Sequence, residues 1–257
     1  MSKNEKDDQI EEIIETLRRL SPIQVRVIKA IISRFAHGFI GEHLRKDFLL
    51  PDSYAYFGMR LTAHHAYSDQ VMKKENFEHI LAEAFRIAGS RVVPANSMTV
   101  RGADLTIDGS TLSLKTEASA GLRQNQITIS KLMEAAWIKQ ITKPADIPHY
   151  ISTMVLPHFE NYNQIFILRA YIDPAHAGNV RYDLREIPKH LLLAIGDLTA
   201  RDFSPLTGTR TTSAEVRAGN ISAFRFRLDG SDDKLTITNL DVNHCPLHAW
   251  WSLRRTL

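Results

Sequence analysis

The chain has 257 residues, 44% hydrophobic and 24% charged, with a net charge of +3, the profile of an ordinary soluble globular protein. No apolar run is long enough to span a bilayer and the opening MSKNEKDDQ has no secretory core, so a cytoplasmic protein without a membrane role is expected. The lone Cys245 excludes an internal disulfide, and the mild basicity permits nucleic-acid binding without arguing for it.

Ile10, Ile13, Ile14, Leu17 and Leu20 recur at helical spacing over residues 8–20. Ser21-Pro22 then supplies an N-cap and a first-turn proline for a second helix ending near Phe35. This N-terminal helical segment, residues 1–48, reads either as a hairpin that packs or as an arm touching DNA or a partner subunit. The remainder, 49–257, reads as one main domain.

A helix is expected from Ser68 or Asp69 to Gly89, its apolar stripe made of Phe77, Ile80, Leu81, Ala84, Phe85 and Ala88. Glu78 sits at the margin of that stripe, either solvated or turned inward. Strands follow at about 101–107, 111–118 and 126–130, then helices over 131–141 and 144–162. The run QIFILRAYI (164–172) suits a central strand, 180–186 another, and 188–195 a helix. The order predicts a mixed β-sheet flanked by helices, an α/β fold. Asp202 to Asn220, rich in Ser, Thr, Gly and Arg, reads as a loop.

The stretch ADLTIDGSTLSLKTEAS (103–119) carries the chemistry. Asp108, Gly109 and Ser110 supply turn residues between two alternating runs, which predicts a hairpin. Leu105, Ile107, Leu112 and Leu114 then share one face, and a one-residue slip would set leucines opposite charges. Asp104, Lys115 and Glu117 converge on the other face. Carboxylates are hard ligands for Mg²⁺, and a neighbouring lysine offsets charge building on a phosphate. Such a set is what metal-dependent phosphodiester cleavage needs, although wet hairpin faces often carry the same residue types.

Two histidine groups are set aside. His64-His65 point apart on any regular element, and His244, Cys245 and His248 complete no standard zinc pattern. No glycine-rich phosphate loop occurs.

Asp104 followed by Ser113-Leu114-Lys115 resembles the active-site strands of PD-(D/E)xK nucleases, except that a serine stands where the second acid is usual. Glu117, one pleat further on, or Glu134, from the following helix, is the candidate replacement. LSLKTEAS with QITISKLMEAAW is similar to the SmaI-like family of type II restriction endonucleases. So are RLTAHHAYSDQ, NFEHILAEAF, HFENYNQIFILRAY, YDLREIPKHLLLA and LDVNHCPLHAWW, in order over about residues 50–257. The resemblance implies a restriction-endonuclease-like catalytic domain over 49–257, with DNA-recognition loops. It implies Mg²⁺-dependent cleavage of duplex DNA, with Asp104 and Glu117 as metal ligands and Lys115 as the stabilising cation. Glu78 and Glu134 are further contributors. It also implies a palindromic target (CCCGGG in the family's type enzyme), a blunt cut, a homodimer and a companion methyltransferase. Arg123, Gln124 and Asn125, and Arg210 and Arg217 in the 202–220 loop, are candidate DNA contacts, an ordinary surface loop being the other reading of 202–220. The Ser113 departure keeps open a DNA-binding protein without cleavage, and a repair or defence endonuclease with another target is the remaining alternative.

Overall fold

The computed structural model describes residues 3–94, 103–118, 122–172, 179–219 and 221–254. Its elements begin with α1 (Lys3–Arg18), α2 (Pro22–Phe35), β1 (Ile40–His43), α3 (Pro51–Tyr67), α4 (Lys74–Ile87) and β2 (Val92–Pro94). The hairpin β3 (Leu105–Ile107) and β4 (Ser110–Ala118) leads into β5 (Gln126–Glu134). Short turns of helix follow, including α5 (Ile147–Tyr150) and α6 (Leu156–Glu160), then β6 (Gln164–Ile172), β7 (Asn179–Glu186) and α7 (Lys189–Leu193). The chain closes with β8 (Thr212–Ala218), β9 (Ile221–Asp229), β10 (Lys234–Asp241) and β11 (Leu247–Arg254).

The hairpin closes in the expected register, Leu105 opposite Leu112 and Ile107 opposite Ser110. Asp108 and Gly109 form its two-residue loop with φ of 49° and 88°, the paired positive values of a type I′ turn. β4 then runs parallel to β6, while the other neighbours are antiparallel, in a seven-stranded mixed sheet ordered β1-β11-β7-β6-β4-β3-β2. A four-stranded sheet, β5-β10-β9-β8, stands beside it.

Strand alternation sorts the core into two layers. Leu112, Leu114, Phe166 and Leu168 pack with Phe57 and Leu61 of α3 and Phe77, Leu81 and Phe85 of α4. Ile165 and Ile167 point oppositely, toward Ile147, Val155 and Phe159 and the buried face of the second sheet. The charged face of β4 is therefore roofed by protein rather than open to water. This is an α/β fold with helices on the large sheet and two N-terminal helices, consistent with the restriction-endonuclease-like class. Among the described residues no helix is long and apolar enough to cross a membrane.

The N-terminal reading holds in detail: Ser21 accepts from the Gln24 amide, and the Gln24 side chain accepts from the Ser21 amide, closing a capping box. Gly89 has φ +89° and ends α4 with bonds from Gly89 N to Arg86 O and from Ser90 N to Phe85 O.

Several boundaries are corrected. The helix expected from Ser68 is instead the pair α3 and α4; Ser68 ends the first, and Lys74 starts the second. α3 escaped notice because Tyr, Gly and His interrupt its stripe. Gly58 is needed there because a Cβ would come within 2.4 Å of the Phe39 ring. The helix expected at 131–141 begins as strand: β5 continues to Glu134 because β10 pairs with it up to Lys234. Only Ala136–Gln140 is helical, as a 3₁₀ turn. The 144–162 helix is broken into a 3₁₀ turn, α5, a π turn (Ile151–Val155) and α6, since Pro148 and Pro157 cannot donate to a regular ladder. Part of the 202–220 loop is strand β8. Residues 101, 102 and 220, at the ends of expected segments, lie outside the described residues.

Candidate active site

β3 is short, and Asp104 stands just before it with its amide bonded to Leu112 O at 2.7 Å. Its carboxylate is fixed from β4: Oδ2 accepts from the Leu114 amide at 2.5 Å and from Ser113 Oγ at 3.4 Å. The buried Ser113 thus orients Asp104 where an acid would have stood beside it. Oδ1 receives Lys74 Nζ at 2.8 Å, and the same ammonium meets Glu78 Oε1 at 2.7 Å. α4 supplies Lys74 and Glu78 at i and i+4, one turn apart on the face toward the hairpin. Glu78 therefore turns inward. A cation is thereby held between two carboxylates that come from different elements.

Lys115 projects into the same space. A cleft of about 340 Å³ is lined by Lys74, Asp104, Lys115, Lys131, Glu134 and His158, among others. Burial pushes the Lys115 ammonium down to about 8, against the attraction of Asp104. Burial also raises the Glu78 carboxyl, with Lys74 opposing it and Asp104 reinforcing it. For Lys74, burial acts downward, but its hydrogen bonds to Asp104 and Glu78 win and hold it above the ordinary lysine value. His158 is lowered by burial and then by Lys115. The Tyr162 hydroxyl is buried without a hydrogen-bond partner among the described residues, and burial with Asp104 close by raises its phenol.

Glu117 lies on the face of β4 that carries Lys115 but turns to other partners. Its Oε1 accepts from the Thr128 amide at 2.8 Å and its Oε2 from Arg169 Nε at 2.6 Å. Arg169 is fully buried on β6 directly beside Glu117 in the strand register. Its other nitrogens donate to Arg123 O at 2.8 Å, Gln126 O at 2.6 Å and the Tyr171 hydroxyl at 2.5 Å. The convergence expected of Glu117 with Asp104 is replaced by a brace that ties β4, β5 and the 123–126 turn together. Glu134 ends a strand, not a helix; its side chain is 80% exposed and pairs with Lys131 at 2.5 Å. It reaches the mouth of the cleft, not the carboxylate pair.

The expected DNA contacts separate. Arg123 lines a larger cleft of about 910 Å³ that also reaches Lys74 and Thr116. Gln124 lines a different hollow with Tyr171 and Arg181, and Asn125 gives its carbonyl to Val242 N at 3.1 Å. Arg210 sits at φ +59° in the tight turn 207–211, and Arg217 faces His190 and Asp197 across another hollow. Neither Arg210 nor Arg217 lines the two clefts at the site. Sequence reasoning passed over Lys74, His158, Tyr162 and Arg169. The only signal for Lys74 was its i, i+4 spacing to Glu78; Arg169 lay inside an apolar run.

The histidine groups set aside are structural. His64 Nε2 meets Gln70 O at 2.7 Å, and His65 Nε2 meets the Tyr182 hydroxyl at 2.8 Å. Burial drives the Cys245 thiol up to about 12, so it is no nucleophile at neutral pH. Among the described residues no three His, Cys, Asp or Glu side chains are grouped to hold a metal. A site of two carboxylates suits Mg²⁺, which keeps several waters and uses substrate phosphate as a ligand.

A family model for SmaI, a type II site-specific deoxyribonuclease, matches residues 13–253. The chain belongs to the SmaI family. The type II restriction enzyme SmaI of Serratia marcescens is 32% identical over 214 residues, covering 80% of this chain and 81% of that enzyme. No solved structure matches the chain. Membership in the SmaI family makes this a DNA-cleaving hydrolase of the restriction type. The match spans the hairpin, α4, α6 with His158 and both sheets, so all the site residues fall within the SmaI family region.

Proposed function

We propose that this protein hydrolyses phosphodiester bonds of duplex DNA with Mg²⁺, as a homodimer acting on a short palindrome in a cytoplasmic restriction system with a companion methyltransferase. The observation that carries the reading is the Asp104–Lys74–Glu78 cluster beside Lys115: two carboxylates already holding a cation next to a half-buried lysine. Asp104 and Glu78 fit as the residues that would hold the metal, in place of the Asp104–Glu117 pair. Bound there, Mg²⁺ would supply Lewis acidity toward the phosphoryl oxygen and the attacking water. Lys74, displaced from the carboxylates, has the neighbouring cleft and its incoming phosphate to turn to. Lys115 Nζ donates to the phosphate oxygen on which charge builds. With its pKa near 8, the same nitrogen can release or take up a proton close to neutral pH. Ser113 and the Leu114 amide keep Asp104 aimed. Glu117 acts as a positioning residue through Arg169.

A palindrome is normally read by a two-fold dimer. The exposed Ile13 and Val27 on α1 and α2, at 56% and 55%, support a self-association surface there. Between residues 7 and 17 α1 carries five acids and no base, whereas α2 carries Arg26, Lys29 and Arg34 and no acid. Two copies can therefore set α1 of one against α2 of the other with opposite charges facing.

The test is plasmid cleavage with Mg²⁺, using one plasmid with a CCCGGG site and one without. The expected result is a linear product from the wild type on the site-bearing plasmid only. Lys115→Ala and Glu78→Gln should lower the rate at least ~100-fold, and Glu117→Gln should cost less than Glu78→Gln. Equal loss from the two glutamate variants would restore Glu117 as a ligand. Cutting elsewhere would keep the chemistry and discard the target. Binding without any cutting would favour the DNA-binding alternative that Ser113 left open.

A further inference from the structure

The outward face of the second sheet departs from an average wet sheet. In β9, Phe224, Phe226 and Leu228 are buried while Arg225 and Arg227 alternate outward. Cross-strand pairing sets Thr238 of β10 against Arg225 and Thr236 against Arg227. β5 adds Thr128 and Ser130, with Ile127 and Ile129 turned to the core. The result is a band of hydroxyls and guanidiniums. Glu215 of β8 stands opposite Arg225 in the strand register, Glu117 and Glu75 line the cleft beside it, and Arg227 is held toward Asp229 at 3.6 Å.

Where this band meets the catalytic cluster, the backbone is bent on purpose. Between Ile237 opposite Ile129 and Leu240 opposite Ile127, β10 has two residues against one of β5, a bulge. Asn239 is the bulged residue, in the left-handed region at φ +60°, exposed, with no hydrogen bond from its side chain among the described residues. Arg225 likewise has no ion pair or hydrogen bond among them. Both line the 910 Å³ cleft whose opposite wall carries Lys74 and Thr116. A bulge beside an active site is a usual way to re-aim a side chain.

We infer that the outward face of β9 and β10 is the base-reading surface of this protein, with Arg225 contacting a guanine edge and Asn239 an adjacent base in the major groove. The inference rests on the nuclease reading above. β9 and β10 are the central strands of the four-stranded sheet, so they meet DNA through side chains on the sheet face, and a long arginine can reach base edges exposed in the major groove. Arg donates two bonds to guanine O6 and N7, and an amide both donates to and accepts from a base edge. The cleft connects this face to the phosphate-cutting cluster, so bases and backbone of one duplex are met together. The turn at 123–126, fastened by Arg169, brings Arg123 to the rim as a phosphate contact.

The experiment uses the full chain with Lys115→Ala, so that bound duplex is not cut. It is mixed with a pool of duplexes randomised over a central ten-base-pair window (about one helical turn), and the captured sequences are read. Arg225→Ala, Arg225→Lys and Asn239→Gly are then added singly; glycine suits the left-handed backbone at 239. Arg225→Ala should erase the preference at one base-pair position and its symmetry mate. It should weaken the preferred duplex roughly 10- to 100-fold while leaving random duplex within about threefold. Arg225→Lys should not restore the preference, because an ammonium lacks the fork. Asn239→Gly should relax a neighbouring position. An unchanged preference in both variants would overturn the inference and leave the nuclease reading intact. So would uniform weakening of all duplexes with a shallower salt dependence, the mark of a phosphate contact. Failure of the parent protein to capture any duplex would sink the nuclease reading and this inference together.

Discussion

Lys115 carries its charge against a burial penalty. Burial lowers it to about 8 from an ordinary 10.5, so below pH 8 the folded state carries a charge it has partly stripped of water. Between pH 8 and 10.5 the unfolded chain binds more protons than the folded one, and this group's contribution to stability rises with pH across that window. Below it the penalty is present in full. Lys115→Met should therefore stabilise the metal-free protein at pH 7 by about 1–3 kcal/mol while abolishing cleavage. Urea unfolding at pH 7 and pH 10.5 checks this, since the gain should shrink at the higher pH. At this scale the sequence spoke clearly about Asp104 and Lys115, because strand parity alone puts them on one face. It spoke poorly about Glu117: parity assigns a face, but only the parallel neighbour β6, with Arg169 at the paired position, decides where the carboxylate turns.

Among elements, β4 depends most on what flanks it. On one side its leucines meet α4; on the other, Glu117 and Arg169 bind it to β5 and to the 123–126 turn. Arg169 is wholly buried and makes five hydrogen bonds, so removing it takes a donor from Glu117 Oε2, the Tyr171 hydroxyl and three carbonyls. Arg169→Ala should cost about 3–5 kcal/mol, the range for breaking a buried pair from one side. The double variant Arg169→Met with Glu117→Leu should recover much of that loss. Thermal unfolding of the single and double variants measures the difference. β5 itself shows why element boundaries were hard to read: LMEAAW favours helix locally, and pairing of Leu235 and Lys234 of β10 with Met133 and Glu134 overrides it.

At the level of the whole molecule, the amphipathic helices α1 and α2 leave Ile10, Ile13, Ile23, Val25 and Val27 exposed. None of the described residues of α1 or α2 is buried. An amphipathic helix left in water gains little from its own backbone bonds and needs a surface to cover its stripe. Sedimentation should find a dimer for the wild type and a monomer for Ile13→Glu with Val27→Glu. The cleft at the catalytic cluster is untouched by those changes, so the variant should still fold and still nick DNA weakly. A dimer unaffected by both substitutions would place the interface elsewhere.

The sequence by itself determined the hairpin register, the capped second helix, the strands at 164–172 and 180–186, the family and the Asp104–Lys115 pair. Each rests on local periodicity, turn chemistry or a run of residues read in order. Tertiary structure alone decided that Glu78 and Lys74 meet Asp104, that Glu117 braces Arg169, that β5 stays a strand, and that Arg225 and Asn239 share a cleft with the site. Those contacts join residues far apart in the chain, and which of several acids reaches one point in space is fixed by packing between elements, which no local pattern encodes.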